Sequence, residues 1–81
     1  MRVLVKLSIL HRDIAGKKEI TLNFAKGSTV RDVLDVLVKE YPKMKETIPY
    51  TFVVVNESYA PDETEIKDGD EIKLLPVIGG G

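Results

Sequence analysis

The sequence contains no cysteine, a single histidine and no long hydrophobic run. Without cysteine there is no disulfide framework, no thiolate metal site and no cysteine nucleophile. The one histidine, His11, reads as a surface residue of a turn, and without a paired nucleophile it cannot form a catalytic triad. No apolar stretch approaches the roughly eighteen residues of a membrane span, and the N-terminus lacks a secretory pattern, so a cytoplasmic protein is expected, with no membrane partner. An excess of charge of one sign is also missing. The formal net charge is -1, which gives no overall case for binding nucleic acid or an anionic membrane. The lysines are dispersed and lack interleaved aromatics, so no nucleic-acid platform is visible either.

What is present describes one small domain. At 81 residues, 43% apolar and 31% charged, the composition is that of an ordinary globular protein. A chain of this length buries roughly 60–65% of its unfolded surface, enough for one core and no deep catalytic cavity. Charge is unevenly placed along it. Residues 1–46 carry ten Lys/Arg against six Asp/Glu, a balance of +4. Residues 57–81 carry Lys67 and Lys73 against Glu57, Asp62, Glu63, Glu65, Asp68, Asp70 and Glu71, a balance of -5. Such a run reads as solvated loops, or as an acidic face beside the C-terminus that meets a basic partner.

Periodicity supplies the elements. In VLVKLSIL, Val3, Val5, Leu7 and Ile9 alternate with Leu4, Lys6 and Ser8, which predicts a strand with one buried face. HRDIAGKK reads as a turn built on Gly16. EITLNF alternates again and completes a hairpin, with Ile20, Leu22 and Phe24 together. The period then changes. Val30, Val33, Leu34, Leu37 and Tyr41 follow helical spacing, with Thr29 as N-cap, Asp32 supporting the first turn and Pro42 stopping the helix. Pro49 marks the end of an irregular crossing. TFVVVN is a strand apolar throughout, the pattern of cover on both faces. A turn-rich segment with a short strand leads through Asp68-Gly69 to a last strand, DEIKLL, with Ile72 and Leu74 on one side and Glu71, Lys73 and Leu75 on the other. One helix must cover one face of a mixed sheet of four to five strands, with the first and last strands central and parallel. The class is α+β.

Candidate chemistry within this domain is weak. Asp62, Glu63 and Glu65 lack the regular oxygen-ligand spacing of a calcium loop, so no metal site is expected. Gly27-Ser28-Thr29 before the helix is better explained by capping than by anion binding. The C-terminal segment PVIGGG is different. Glycine carries the largest conformational entropy of any residue, so a glycine run gains nothing for folding. A frayed end would have no use for the apolar residues before it, and Pro76 stiffens the exit from the last strand. The pattern divides the chain into a domain, residues 1–76, and a flexible tail, residues 77–81. It suits a peptide threaded into a narrow channel of another protein, with the Gly81 carboxylate at its tip. A carboxylate becomes an acyl donor once an enzyme with ATP converts it to an acyl-adenylate. That intermediate can accept sulfur to form a thiocarboxylate, or an amine to form an amide.

The segments RDIAGKKE, GSTVRDVLDVLVKEYP, VVVNESY and DGDEIKLLPVIGGG together resemble the MoaD/ThiS group of ubiquitin-like sulfur carriers over essentially the whole chain. The combination of Asn56 after an apolar strand, Asp68-Gly69-Asp70 and a terminal diglycine carries the resemblance. It implies a β-grasp (ubiquitin-like) fold, and a Gly81 that is adenylated by an E1-like enzyme and thiocarboxylated. No cofactor would be bound; ATP would be used by the activating enzyme. In the molybdopterin branch, the tail enters the large subunit of molybdopterin synthase, in a heterotetramer, and gives its sulfur to the pterin precursor. The chain would then be a non-catalytic sulfur-donor subunit. By the same resemblance Gly80, Gly79, Ile78, Val77, Pro76, Leu75 and Tyr59 contact the partner. Val77 departs from a common second proline, and the triple glycine is frequent in the thiamine branch. Carriers for thiamine or tRNA thiolation, and a ubiquitin-like modifier joined to lysines, are the alternatives.

Overall fold

A five-stranded sheet grows from the alternating segments, and one amphipathic helix closes over its apolar side. The structure is a computed structural model that describes residues 1–77. Strand β1 (Arg2–Leu7) is followed by helix α1 (Ile9–Ala15), β2 (Glu19–Asn23), α2 (Val30–Glu40), two short 3-10 turns (Pro42–Glu46 and Ile48–Tyr50), β3 (Thr51–Val55), β4 (Ser58–Tyr59) and β5 (Glu71–Pro76). The strand order is β2-β1-β5-β3-β4. Strands β1 and β5 run parallel, Val5 opposite Ile72 and Leu7 opposite Leu74; the other pairs are antiparallel. The mixed sheet with α2 on one face is the expected α+β, β-grasp arrangement.

The core lies between the inner side of the sheet and α2. Val3, Val5, Leu7, Val53, Ile72 and Leu74 meet Val30, Val33, Leu34 and Leu37, and Met44, Ala60 and Ile66 close the margins. The helical spacing of the four α2 residues puts them on one stripe, and removing such side chains from water is the main favourable term in folding. The start of α2 is held as read. Asp32 accepts a hydrogen bond from the Thr29 backbone N–H at 2.8 Å. The next donors, Val30 and Arg31 N–H, go to the Thr64 and Asp62 carbonyls at 2.9 Å each. These groups, orphaned at any helix start, are thus taken up by the loop before β5, and none of the three points at a ligand.

Two expectations change. The first part of HRDIAGKK, residues 11–15, belongs to a helix, α1, and not to a turn: His11 and Arg12 N–H both return to the Ser8 carbonyl, and Gly16, at φ 71°, accepts the left-handed cap that ends it. Strand β3 is covered on one side only. Val53 is buried, whereas Phe52 is 36% exposed. The β3–β4 turn has positive φ at both Asn56 and Glu57, the mark of a type I′ hairpin, with Val55 opposite Ser58. Asn56 also reaches β5, donating from Nδ2 to Asp70 and accepting the Glu71 N–H at Oδ1.

Candidate functional site: the exit of β5 and the open face of the sheet

Because side chains alternate along a strand, the register decides which residues share the side away from α2. Leu75 lies opposite Phe52, Lys73 opposite Val54, and Val54 opposite Tyr59. Leu75, Phe52, Val54 and Tyr59 therefore form an apolar group across β5, β3 and β4, at the end of the sheet where β5 finishes. Tyr59 is 70% exposed and Leu75 half-buried. Pro76 lies opposite Thr51, and the Val77 N–H donates to the Tyr50 carbonyl at 2.8 Å. Of the residues singled out in the sequence, Leu75, Tyr59, Pro76 and Val77 thus fall on one face or at its rim. Ile78, Gly79, Gly80 and Gly81 lie outside the described residues.

Sequence reading missed Phe52 and Val54 on this face. Their alternation with Val53 and Val55 was available as a signal, but in an all-apolar strand it does not say which side is open. Ile9, expected on the buried face of the first strand, instead begins α1 and is 75% exposed, because β1 ends at Leu7; Tyr50, 66% exposed, was missed. Beyond the apolar group the face is charged. Glu71 sits between Lys6 at 3.4 Å and Lys73 at 3.8 Å. All three are substantially exposed, so these pairs contribute little to stability and mainly set local charge.

Two acidic residues of the presumed acidic face have structural duties. Asp70, 9% exposed, accepts from Asn56 and from the Lys67 N–H. Asp68 accepts from the Arg2 N–H at 2.8 Å. Among the described residues, no group of three or more His, Asp or Glu is placed to hold a metal ion. No helix there is long and apolar enough to cross a membrane.

His11 corrects the expectation of a surface residue: it is fully buried. Its Nε2 lies 2.8 Å from the Thr51 hydroxyl, which itself donates to the Thr47 carbonyl. Thr51 must therefore accept, and Nε2 carries the proton. Nδ1 is then free to accept from the Ser8 hydroxyl at 2.7 Å. Burial lowers the His11 pKa below its ordinary value of 6.5, since desolvation disfavours the charged ring. Sequence reading could not find this. A histidine placed in a turn is usually exposed, and the segment is a helix with its His11 face turned inward.

Comparison with known proteins agrees with this fold. The profile of the ThiS family matches residues 5–81. A molybdopterin synthase sulfur carrier subunit from Arabidopsis thaliana is 33% identical over 70 residues, 86% of this chain and 73% of the relative. Among solved structures, a putative molybdopterin converting factor, subunit 1, from Pyrococcus furiosus superposes with a TM-score of 0.90 at 28% identity, over 96% of this chain and 99% of that one. The small archaeal modifier protein 1 from Methanosarcina acetivorans does so with a TM-score of 0.82 at 29% identity, over 99% and 96%.

Proposed function

The chain belongs to the ThiS family of ubiquitin-like sulfur carriers, and on that premise we propose that it is the sulfur-carrying small subunit of a molybdopterin synthase. The observation that carries this reading is the identity to the Arabidopsis thaliana sulfur carrier subunit across 86% of the chain. The role is that of a non-catalytic subunit in molybdenum-cofactor biosynthesis. Its reactive group is the carboxylate of Gly81. An E1-like enzyme joins that carboxylate to the AMP portion of ATP with release of pyrophosphate. A sulfur donor then displaces AMP and leaves a thiocarboxylate. The large subunit receives the tail and transfers the sulfur to the pterin precursor, in a heterotetramer of two small and two large subunits. Gly79 and Gly80 have no side chains to obstruct a narrow entry. The apolar group of Leu75, Phe52, Val54 and Tyr59 beside the exit supports docking there, since apolar area removed from water on both partners favours association.

The test is reconstitution with an E1-like enzyme, ATP and a sulfur donor, followed by intact-mass measurement. A gain equal to the difference between sulfur and oxygen, localised to Gly81 and lost on deletion of Gly80-Gly81, is the expected result. A chain that keeps only its free carboxylate overturns the reading. The resemblance to the small archaeal modifier protein 1 from Methanosarcina acetivorans supports a second use of the same adenylate, attack by a lysine amine to form an isopeptide. Higher-mass species in cells that react with an antibody to this chain, and vanish on deletion of Gly80-Gly81, are its expected signature.

A further inference from the structure

Carrier chemistry makes no direct use of the buried polar groups. Among the described residues these are His11, Thr47 and Asp70. Asp70 closes the turn into β5. The other two belong to one network. Ser8 binds His11 Nδ1, His11 Nε2 donates to Thr51, Thr51 donates to the Thr47 carbonyl, and the Thr47 hydroxyl donates to the Met44 carbonyl. The network runs from α1 through the 3-10 turns to the first residue of β3.

That end point is the root of the C-terminal segment. Thr51 is the residue opposite Pro76, and the preceding carbonyl, that of Tyr50, receives the Val77 N–H. Proline has no N–H to donate, so the bond from Val77 holds the last pairing of β3 with β5 where Pro76 cannot. Four residues follow Val77 and span at most about 14 Å when extended. The Val77 N–H bond to Tyr50 is therefore the anchor from which the reach of those four residues is measured. An apolar side chain at position 11 would fill the same space, but it could slide. An imidazole with both nitrogens committed fixes the orientation of what it touches.

We propose that His11 is a positioning residue for the carrier reaction: through Thr51 it holds the Tyr50–Val77 bond and so fixes where, and in which direction, the tail leaves the sheet. The consequence for catalysis rests on the sulfur-carrier reading; the positioning itself does not.

The experiment uses the full chain with His11→Leu, Thr51→Val and His11→Gln, read by amide hydrogen exchange in NMR and by adenylation kinetics with an E1-like enzyme. In His11→Leu and Thr51→Val, the Val77 amide is expected to exchange about tenfold faster, while Leu37 and Ile72 in the core stay within about twofold of wild type. His11→Gln, which retains one donor and one acceptor, should return Val77 towards wild type. Adenylation should lose kcat more than it raises KM for the carrier, because Leu75, Phe52, Val54 and Tyr59 stay in place while the tail's exit loosens. Val77 exchange that is unchanged, that rises only in parallel with Leu37, or that His11→Gln fails to restore overturns the proposal. Should Thr51→Val alone fold, its exchange decides the matter. A wild-type chain that is never adenylated overturns the carrier reading and leaves exchange at Val77 to judge the positioning.

Discussion

Adjacent residues on β3 serve the two sides of the sheet. Phe52 lies opposite Leu75 on the open face, and Thr51 receives His11 on the side that α2 covers. If the proposed docking holds, Leu75→Glu puts a charge into its apolar contact and weakens binding to the large subunit by roughly 2 kcal/mol or more. Since Leu75 is only half-buried in the free chain, the fold should persist; calorimetric titration with the large subunit, beside a thermal melt, checks both statements. The buried imidazole makes a different prediction. With the His11 pKa lowered in the fold, the unfolded chain binds a proton, between 6.5 and that lowered value, that the native chain does not. Stability from this group is complete above 6.5 and is lost as pH falls from there through the lowered folded value. Wild type should therefore lose more melting temperature between about pH 7 and pH 5 than His11→Gln, and equal slopes would show that His11 does not titrate on unfolding.

Among the elements, α2 was the most legible, because its apolar spacing, N-cap region and stopping proline agree with one another. Its start invites a direct measurement. Asp32→Ala removes the acceptor of the Thr29 N–H and should cost about 0.5–2 kcal/mol in urea denaturation. The loss stays in that range because the next two N–H groups keep their loop carbonyls. Helix α1 was the least legible. It has seven residues, too few for a clear period, and Gly16 marks a turn whether or not a helix precedes it. The hairpin reading still placed β1 beside β2 correctly, since the alternation of the two strands is independent of what joins them. Strand β3 looked buried on both sides because composition alone cannot distinguish a covered apolar face from one kept open.

At the scale of the molecule, one core serves both helices and four of the five strands. Leu37, 1% exposed, lies in the same cluster as residues of β1, β3 and β5. Leu37→Ala should cost about 2–5 kcal/mol through the cavity it leaves. In a domain of this size that lowers the melting temperature by roughly 10 °C or more. Helix and sheet signals in circular dichroism should be lost together. Separate transitions for the two would contradict a single cooperative core.

The candidate site divides along the same line between sequence and structure. The chemistry proposed for the tail rests on a local pattern, an apolar strand followed by Pro76 and then a glycine run. The central, parallel pairing of the first and last strands was also expected, because the helix and the crossing after it carry the chain over the sheet. Which residues surround the exit was not. Leu75 and Tyr59 stand sixteen positions apart, and only the register of β3 between β5 and β4 brings them to one face. His11 reaches Thr51 across forty positions of sequence. No local pattern encodes that contact, because it exists only once packing has removed both groups from water and left each the other's hydrogen-bond partner.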